Sequence, residues 1–211
     1  MSRAVRLKRE IVTHLEGEML RLVRACGGLS RVELARELKL APSTAGVYVD
    51  RLIRDGILLE SEPTSRAPGR PPTLLLPSPD AGRFIGVDLE ARNLLATVVD
   101  FSQRPLRQTH RRIRAADSAR QIVRKIDQAV QELITGDRRP ILGIGVGVPG
   151  RIDPVAKVAI HYPAIRDWHN VPLGDHLSRR FGAPVFLFSG GEPLIREDIY
   201  ENAALCKELG I

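Results

Sequence analysis

The chain has 211 residues, of which 43% are hydrophobic and 27% are charged, and its formal net charge is +7. This length accommodates one large domain or two small ones, and the hydrophobic fraction is sufficient for a packed core. A positive charge favours a polyanionic partner, but residues 1–80 carry 13 basic and 10 acidic side chains and residues 81–211 carry 19 and 15. Because the excess is spread over the chain, charge alone supports nucleic-acid binding only weakly.

Cysteine content and hydropathy exclude several classes of protein. Only Cys26 and Cys206 occur, which excludes a disulfide framework and a zinc-ligand cluster. No apolar run has the length of a membrane span, and the N-terminus lacks the hydrophobic core of a signal peptide. These features predict a cytoplasmic protein with no membrane partner, no metal and no cofactor.

The first predicted element is a long helix over residues 3–26. Apolar residues recur there at intervals close to 3.6, and Gly27-Gly28 ends the pattern. We expect Cys26 to be a small core residue of this helix rather than a nucleophile.

A capping box opens the next predicted helix. Ser30 can accept a hydrogen bond from the amide of Glu33, and the Glu33 side chain can reach back to the amide of Ser30. The helix itself is predicted by Val32, Ala35 and Leu38, which recur at helical spacing.

A further helix is predicted over residues 42–55, with Pro42 at the first position, where its missing N–H would be unpaired in any case. One face of this helix is apolar. The opposite face is small, polar and partly basic, and it comprises Ser43, Val47, Asp50, Arg51 and Arg54. Such a face suits the DNA major groove, although an ordinary helical hairpin with a solvated face has the same pattern.

Two β-type runs, 57–60 and 73–76, flank a proline-rich segment that carries Arg66 and Arg70. Two strands around a stiff basic loop form a wing, and an arginine of a wing can contact phosphates or enter the minor groove. A flexible linker would also be rich in proline and glycine. Three helices followed by a wing resemble the winged helix-turn-helix of bacterial repressors.

From residue 84 the pattern becomes that of an α/β layer fold, and we place a domain boundary near Asp80. The predicted elements, in chain order, are strands at 84–89, 94–100 and 106–113, a helix at 118–135, a strand at 141–148, a long loop, a helix from about 170 to 181, a strand at 184–188 and a helix at 195–209. The polar third strand, which is rich in arginine, is expected to be a solvated edge or face of the sheet.

The motifs FIGVDL, LLATVVD, GIGVGVPGRID, HYPAIRDWHNVPL and FGAPVF follow one another between residues 84 and 187. They resemble the ROK family of repressors, open reading frames and sugar kinases, and the N-terminal helices with the GRPP stretch resemble its transcriptional repressors. The resemblance implies an α/β fold class: a winged helix-turn-helix at 1–80, followed at 81–188 by a partial actin-like ATPase lobe of the ribonuclease-H-like type.

The resemblance also implies where a kinase site would lie, and the sequence departs from it there. In ROK kinases the turn after the first strand holds ATP phosphates, but Glu90 stands where that turn usually has glycine. An Asn-Asp motif after the strand at 184–188 supplies the general base of the kinases, and Ser189-Gly190 stands there instead. Asp88 could cap the strand or retain a phosphate-site role, and Trp168 could line the cleft or the core. We therefore predict no catalytic residues and no enzyme activity.

The last stretch, VFLFSGGEPLIREDIYENAALCKELGI, is similar to one βα unit of the radical S-adenosylmethionine enzymes, so residues 189–211 are treated as a separate turn and helix. Those enzymes hold an iron–sulfur cluster on three cysteines, which this chain lacks. The second lobe of a ROK protein is also missing. A catalytically incompetent relative of the ROK sugar kinases, or a truncated or fused remnant, is therefore the alternative interpretation.

The sequence predicts a DNA-binding transcriptional regulator, a repressor of sugar-metabolism genes, that binds double-stranded DNA through the helix at 42–55 and the wing at 57–76. Contacts with base edges are predicted for Ser43, Thr44 and Val47, and contacts with phosphates or the minor groove for Arg31, Arg51 and Arg70. The resemblance implies a homodimer and a sugar effector, but we expect effector binding to be compromised because the sugar site needs residues beyond the end of the chain.

Overall fold

The computed structural model describes residues 14–61 and 73–189. The helices are α1 (His14–Ala25), α2 (Arg31–Glu37), α3 (Pro42–Arg54), α4 (Ala119–Ile134) and α5 (Leu173–Phe181), with a 3₁₀ helix at Pro79–Ala81. The strands are β1 (Leu58–Glu60), β2 (Leu75–Pro77), β3 (Arg83–Leu89), β4 (Asn93–Asp100), β5 (Pro105–Arg112), β6 (Ile141–Val148), β7 (Arg151–Asp153), β8 (Val158–His161), β9 (His169–Val171) and β10 (Val185–Ser189). None of the described helices is long and apolar enough to cross a membrane.

The chain divides into two compact units, and each is described by itself. The N-terminal unit ends at Gly82 and takes in the turn Asp100–Arg104, and the C-terminal unit comprises the remainder.

Helix α1 packs a narrow stripe of Glu16, Met19 and Val23 into the N-terminal unit. Gly27 (φ +68°) and Gly28 (φ +126°) end it in conformations that other residues rarely adopt. The expectation that Cys26 belongs to the core was wrong, because Val23 is the last buried position of the stripe and Cys26 is exposed.

Helices α2 and α3 form the predicted helical pair. The capping box of α2 is present, with the Glu33 amide donating to Ser30 Oγ (3.2 Å) and the Ser30 amide donating to Glu33 Oε2 (2.8 Å). Its buried positions are Leu34 and Ala35, whereas Val32 is 72% exposed, so the helical spacing predicted the helix but did not predict its inner face. The inner face of α3 is formed by Ala45, Val49 and Leu52.

Strands β1 and β2 form the described part of the wing. They pair antiparallel, with Leu58 opposite Pro77 and Glu60 opposite Leu75, and Leu29 bridges to Leu75 on the other side. The loop that carries Arg66 and Arg70 lies outside the described residues.

The C-terminal unit is built on a five-stranded sheet with the order β10-β6-β3-β4-β5. Strand β6 lies parallel to both β3 and β10, and β4 pairs antiparallel with β5. Helix α4 buries one apolar side against the core, formed by Ile122, Ile126, Ala129, Val130 and Leu133. The predicted α/β layer is therefore present, and the arginine-rich strand β5 lies at its edge as expected.

The predicted long loop after β6 contains a second, smaller sheet that sequence reasoning missed. Strands β7, β8 and β9 pair antiparallel in that order, but each has only three or four residues, too few to show an alternating pattern. Asn170, expected near the start of a helix, belongs to β9 with φ +48°, and α5 begins at Leu173.

Candidate nucleic-acid interface

The solvent-facing side of α3 is the candidate DNA interface. We define the α3 face as Ser43, Thr44, Val47, Asp50 and Arg54, all of which are exposed. Val47 is 67% exposed, an unusual position for a valine in the middle of a helix whose opposite side is closely packed. The structure thus brings together Ser43, Thr44 and Val47, the three residues for which base contacts were predicted.

The N-terminal end of α3 is open. Its cap residue, Ala41, provides no side-chain hydrogen bond, and the first turn carries no acidic residue. Because the first amides of a helix have no intrahelical acceptor, the N–H groups of Ser43 and Thr44 are left at the positive end of the helix dipole. This end of α3 therefore favours a negatively charged partner.

Arg31 is held within the N-terminal unit by two acids. Its Nη1 lies 2.6 Å from Asp50 Oδ1 and its Nε lies 2.8 Å from Glu60 Oε1. Burial lowers the pKa of Arg31, but the hydrogen bonds to Asp50 and Glu60 outweigh this effect and raise the pKa overall. One guanidinium thus joins the first residue of α2 to both α3 and the wing.

Arg51 lies at the flank of the exposed face, where its side chain is 43% exposed and is paired with two acids of the same unit. Its Nε lies 3.3 Å from Oε1 of Glu16, whose side chain is only 3% exposed, and 3.9 Å from Oδ2 of Asp55. The long side chain of Arg51 turns from the flank of α3 toward α1 because a buried carboxylate there is stabilised by an opposite charge.

The acids Glu16 and Glu60 are the site residues that sequence reasoning missed, and Asp50, which the helical periodicity placed on the outer face, was not expected to bind Arg31. Only Glu16 gave a signal, since it falls on the apolar stripe of α1 together with Met19 and Val23. A carboxylate at such a position indicates a buried partner, although it does not reveal which residue that partner is.

The turn after β3, where the resemblance implies a phosphate site in kinases, carries an exposed carboxylate. Glu90 Oε2 accepts a hydrogen bond from Asn93 Nδ2 (3.1 Å), and the Glu90 carbonyl accepts one from the hydroxyl of Tyr162. Burial, with smaller contributions from Glu90 and Asp88, raises the pKa of Tyr162 to about 12, so this hydroxyl remains a donor at neutral pH.

The segment Asp167–Asn170 that matches the family motif has a structural role in its first two residues. Asp167 Oδ1 accepts a hydrogen bond from the Ala119 amide (2.9 Å) in the first turn of α4. Trp168 is fully buried, donates to the carbonyl of Ala159 (3.2 Å) and packs edge-on against Tyr162. Of the two alternatives for Trp168, the structure therefore supports the core. Among the described residues, no group of three or more histidines, cysteines or acids could hold a metal ion.

Comparison with known proteins identifies both units. A family described as winged helix-turn-helix DNA-binding matches residues 13–58, and the ROK family matches residues 84–189. Over 162 residues the chain is 26% identical to a putative xylose repressor of Caldicellulosiruptor sp. (strain Rt8B.4), an alignment that covers 75% of this chain and 40% of that protein. Over 105 residues it is 32% identical to a glucokinase of Thermotoga maritima, covering 50% of this chain and 32% of the glucokinase.

The fold is also found in a solved structure. The crystal structure of a ROK family transcriptional regulator, described as a homolog of the E. coli MLC protein, superposes with a TM-score of 0.64 at 20% identity and covers 84% of this chain and 45% of that one. The chain thus spans less than half the length of these relatives. The ROK match covers half of the chain and the winged helix-turn-helix precedes it, so this protein belongs to the ROK family.

Proposed function

We propose that this protein is a transcriptional regulator, a repressor of sugar-metabolism genes, that binds operator DNA through α3 and the wing at 57–76. The observation that carries the proposal is the α3 face, which exposes two hydroxyl side chains and one aliphatic side chain beside an uncapped helix N-terminus. The xylose repressor that aligns with 75% of the chain supports the assignment to sugar metabolism.

In the proposed complex, α3 lies in the major groove. Ser43 and Thr44 donate to or accept from base edges, and the methyl groups of Val47 pack against a thymine methyl. Phosphates are bound by the amides at the start of α3 and by Arg54, which among the described residues forms no ion pair within the protein.

The remaining arginines have different roles in the proposal. Arg70 in the wing contacts phosphates or the minor groove. Arg31 and Arg51 already bind acids of the N-terminal unit, so their contacts with phosphates require exchange of a protein partner for a DNA partner. We also propose that the regulator is a homodimer in the cytoplasm and that its C-terminal unit responds to a sugar.

The test begins with selection of bound sequences from a random DNA library, followed by fluorescence anisotropy with the selected duplex. Replacing Val47 by Asp places a negative charge in the groove, and we expect the affinity to fall at least about tenfold, equivalent to ~1.4 kcal/mol. Val155→Asp is the matched control, because Val155 is also exposed (74%) but lies in the C-terminal unit.

Two results would overturn the proposal. One is the absence of any enriched sequence, and the other is equal affinity of the selected duplex for the Val47→Asp variant and the unaltered protein. Circular dichroism of both variants verifies that the N-terminal unit remains folded, since position 47 is exposed and tolerates a polar side chain.

We further propose that the chain does not transfer phosphate to sugars. Glu90 places a carboxylate in the turn that holds phosphates in kinases, and Ser189 occupies the start of the stretch where the base is expected. Incubation with ATP and glucose should yield no sugar phosphate above the uncatalysed background. Turnover would instead favour the alternative, a ROK sugar kinase relative.

A further inference from the structure

The five-stranded sheet of the C-terminal unit packs helices α4 and α5 on the same face. Strand residues of that face, such as Ile85, Leu94 and Ile144, form one core with the buried residues of both helices. Because successive side chains of a strand point to opposite faces, the alternate positions form a second face. We define the second face by Phe84, Leu95, Thr97, Val99, Phe186 and Phe188. All six are at least partly exposed, and none belongs to the core of the unit.

The second face is largely apolar. Phe186 is 46% exposed, which is a large fraction for a phenylalanine in a strand. Two other aromatic rings lie on the glycines of β6, since a Cβ at Gly143 would lie 3.6 Å from the ring of Phe84 and one at Gly145 would lie 3.3 Å from the ring of Phe188. A contiguous apolar surface of this kind marks a place where another element packs.

The parallel part of the sheet also favours a cover on the second face. Strands β10, β6 and β3 are parallel, and parallel strands are normally covered on both faces. Strands buried on both sides read as continuous apolar runs, and ILGIGVGV in β6 and VFLF in β10 have this pattern. The sequence of these strands is therefore that of a sheet with two packed faces.

The chain continues directly from the second face. Strand β10 contributes two of the six residues and ends at Ser189, and residues 190–211 follow it outside the described residues. The helix that the sequence predicts at 195–209 would extend ~22 Å, which is about the length of a seven-residue strand such as β3. The ROK match ends at residue 189, so that match assigns no position to this segment.

The predicted helix is amphipathic. At 100° per residue its apolar side comprises Ile195, Ile199, Cys206 and Leu209. The opposite side carries Glu197, Glu201, Lys207 and Glu208. Such a helix can bury one side against a sheet and keep the other in water.

We propose that residues 195–209 form a helix whose apolar side covers the second face of the sheet. The covered surface and its occupant belong to the same chain, so the contact forms within each molecule. A second copy of the chain and a different protein are the other conceivable occupants, and the experiment below distinguishes them. The proposal does not depend on DNA binding.

Thiol accessibility of the full chain tests the proposal, because the two cysteines are assigned opposite environments. Cys26 is exposed, whereas Cys206 falls on the apolar side of the predicted helix. The Cys26→Ser and Cys206→Ser variants each retain one thiol, and the rate of reaction with Ellman's reagent is divided by the rate of the same variant in urea. We expect this relative rate to be at least about tenfold lower for Cys206 than for Cys26.

A charged side chain on the second face should expose Cys206. Thr97→Arg, combined with Cys26→Ser, places a guanidinium beneath the helix, and we expect the relative rate of Cys206 to rise at least about tenfold. Thr135→Arg is the matched control, because Thr135 is exposed at the C-terminal end of α4, on the other side of the sheet. It should leave the rate unchanged. The fluorescence of Trp168, which is buried in the same unit, verifies that each variant is folded.

Three results would overturn the proposal. Equal relative rates for Cys206 and Cys26 would show that the segment leaves the face uncovered in the purified protein, as expected if a different protein is the occupant. Protection of Cys206 that increases with protein concentration would assign the face to a second copy. Equal effects of Thr97→Arg and Thr135→Arg would show that Cys206 is protected at another surface.

Discussion

At the scale of single residues, Arg31 restrains the α3 face. Its guanidinium holds Asp50, a member of that face, and Glu60 of the wing. In the proposed complex these two carboxylates would lie near DNA phosphates. The phosphates would repel the carboxylates and would compete with them for Arg31. We therefore expect the pair Asp50 and Glu60 to limit nonspecific DNA binding, which depends mainly on unpaired cations.

The double substitution Asp50→Asn with Glu60→Gln should release Arg31 for phosphate. We expect tighter binding of unrelated DNA and a slope of log affinity against log salt that is steeper by about 0.9, the value for one additional phosphate contact. Anisotropy titrations at several salt concentrations measure both quantities.

The control for this prediction is Glu18→Gln with Glu37→Gln, which removes two acids from the same unit outside the α3 face. A steeper slope in both double variants would show that net charge, and not the release of Arg31, determines the salt dependence. Stability should change little in either case, because exposed ion pairs contribute about 1 kcal/mol or less.

Arg51 has a different energetic role, since its partner Glu16 is buried. We expect Arg51→Ala to lower the free energy of unfolding of the N-terminal unit by about 1–3 kcal/mol, because it removes an ion-pair partner of a buried carboxylate. Urea unfolding followed by circular dichroism measures this loss.

Arg36→Ala is the matched control, because Arg36 pairs only loosely with Glu37 (3.5 Å) at an exposed position. It should change stability by less than about 0.5 kcal/mol. Equal losses in both variants would contradict the role assigned to Glu16. Loss of DNA binding in an Arg51 variant would therefore report on folding as well as on phosphate contact, and Arg54 is the better probe of the interface.

At the scale of elements, one helix in the described part of each unit begins with a capping box. In α2 the partners are Ser30 and Glu33, and in α4 they are Ser118 and Gln121. Ser→Ala at either cap should cost about 1 kcal/mol. Trp168 is the single tryptophan and lies in the C-terminal unit. The midpoint of unfolding followed by its fluorescence should therefore shift for Ser118→Ala and should not shift for Ser30→Ala.

The two boxes should also differ in their response to pH. Two hydrogen bonds lower the pKa of Glu33 below its ordinary value. The bond from the Ser30 amide has the larger effect, and the bond with the Ser30 side chain has the smaller one. Ionised Glu33 therefore stabilises the fold at pH values above its pKa in the unfolded chain. This contribution is lost as the pH falls through the lowered pKa of Glu33 in the folded protein. Gln121 does not titrate.

We therefore expect the destabilisation by Glu33→Ala to be smaller at pH 3 than at pH 7, and the destabilisation by Gln121→Ala to be the same at both. Thermal unfolding of the two variants and the unaltered protein at each pH checks this. A parallel decrease in both would assign the effect to general acid destabilisation and not to Glu33.

A glycine determines how α5 packs against the small sheet region. A Cβ at Gly174 would lie 2.4 Å from Cβ of Lys157, and the Gly174 amide donates to the Lys157 carbonyl (3.0 Å). Gly174→Ala should therefore cost about 1–3 kcal/mol through steric overlap. Gly86→Ala is the control, since no atom lies within 4 Å of a Cβ there. Trp168 fluorescence follows the unfolding of both variants, and an equal shift of the unfolding midpoint in the two would contradict the prediction.

The elements differ in how much of them could be predicted from sequence. Helices α3 and α4 have long periodic patterns and clear starts, so their existence and their inner faces followed from spacing alone. Strands β7 to β9 are short, and their pairing depends on contacts between residues such as Arg151 and His161 that are not close in sequence. Likewise, spacing predicted the exposed Ser43 and Val47, whereas the direction of Arg51 depends on Glu16, which lies in another helix.

At the scale of the whole molecule, family resemblance supplied what periodicity could not. Runs of apolar residues predict strands without giving their order, and the order β10-β6-β3-β4-β5 follows from pairings that no local pattern encodes. The motifs between 84 and 187 supplied the fold class by analogy, and the family match and the solved structure confirmed that class.

The proposed homodimer predicts the symmetry of the DNA site. Two α3 helices related by a twofold axis should select an inverted repeat whose half-sites are spaced by about 10 base pairs or a multiple of that number. Light scattering after size exclusion should give twice the mass of the chain, and selected DNA should be palindromic. A monomer that selects a single half-site would contradict the dimer while leaving the role of α3 intact.

The link from Arg31 to both α3 and β1 has a mechanical consequence. Because one guanidinium joins three elements, we expect α3 and the base of the wing to keep their relative orientation when DNA binds, with little adjustment of the angle between them. Operators of unequal groove width must then be accommodated by deformation of the duplex. Sequence preference should therefore extend to base steps that no side chain touches, where flexible steps bind well and stiff ones poorly.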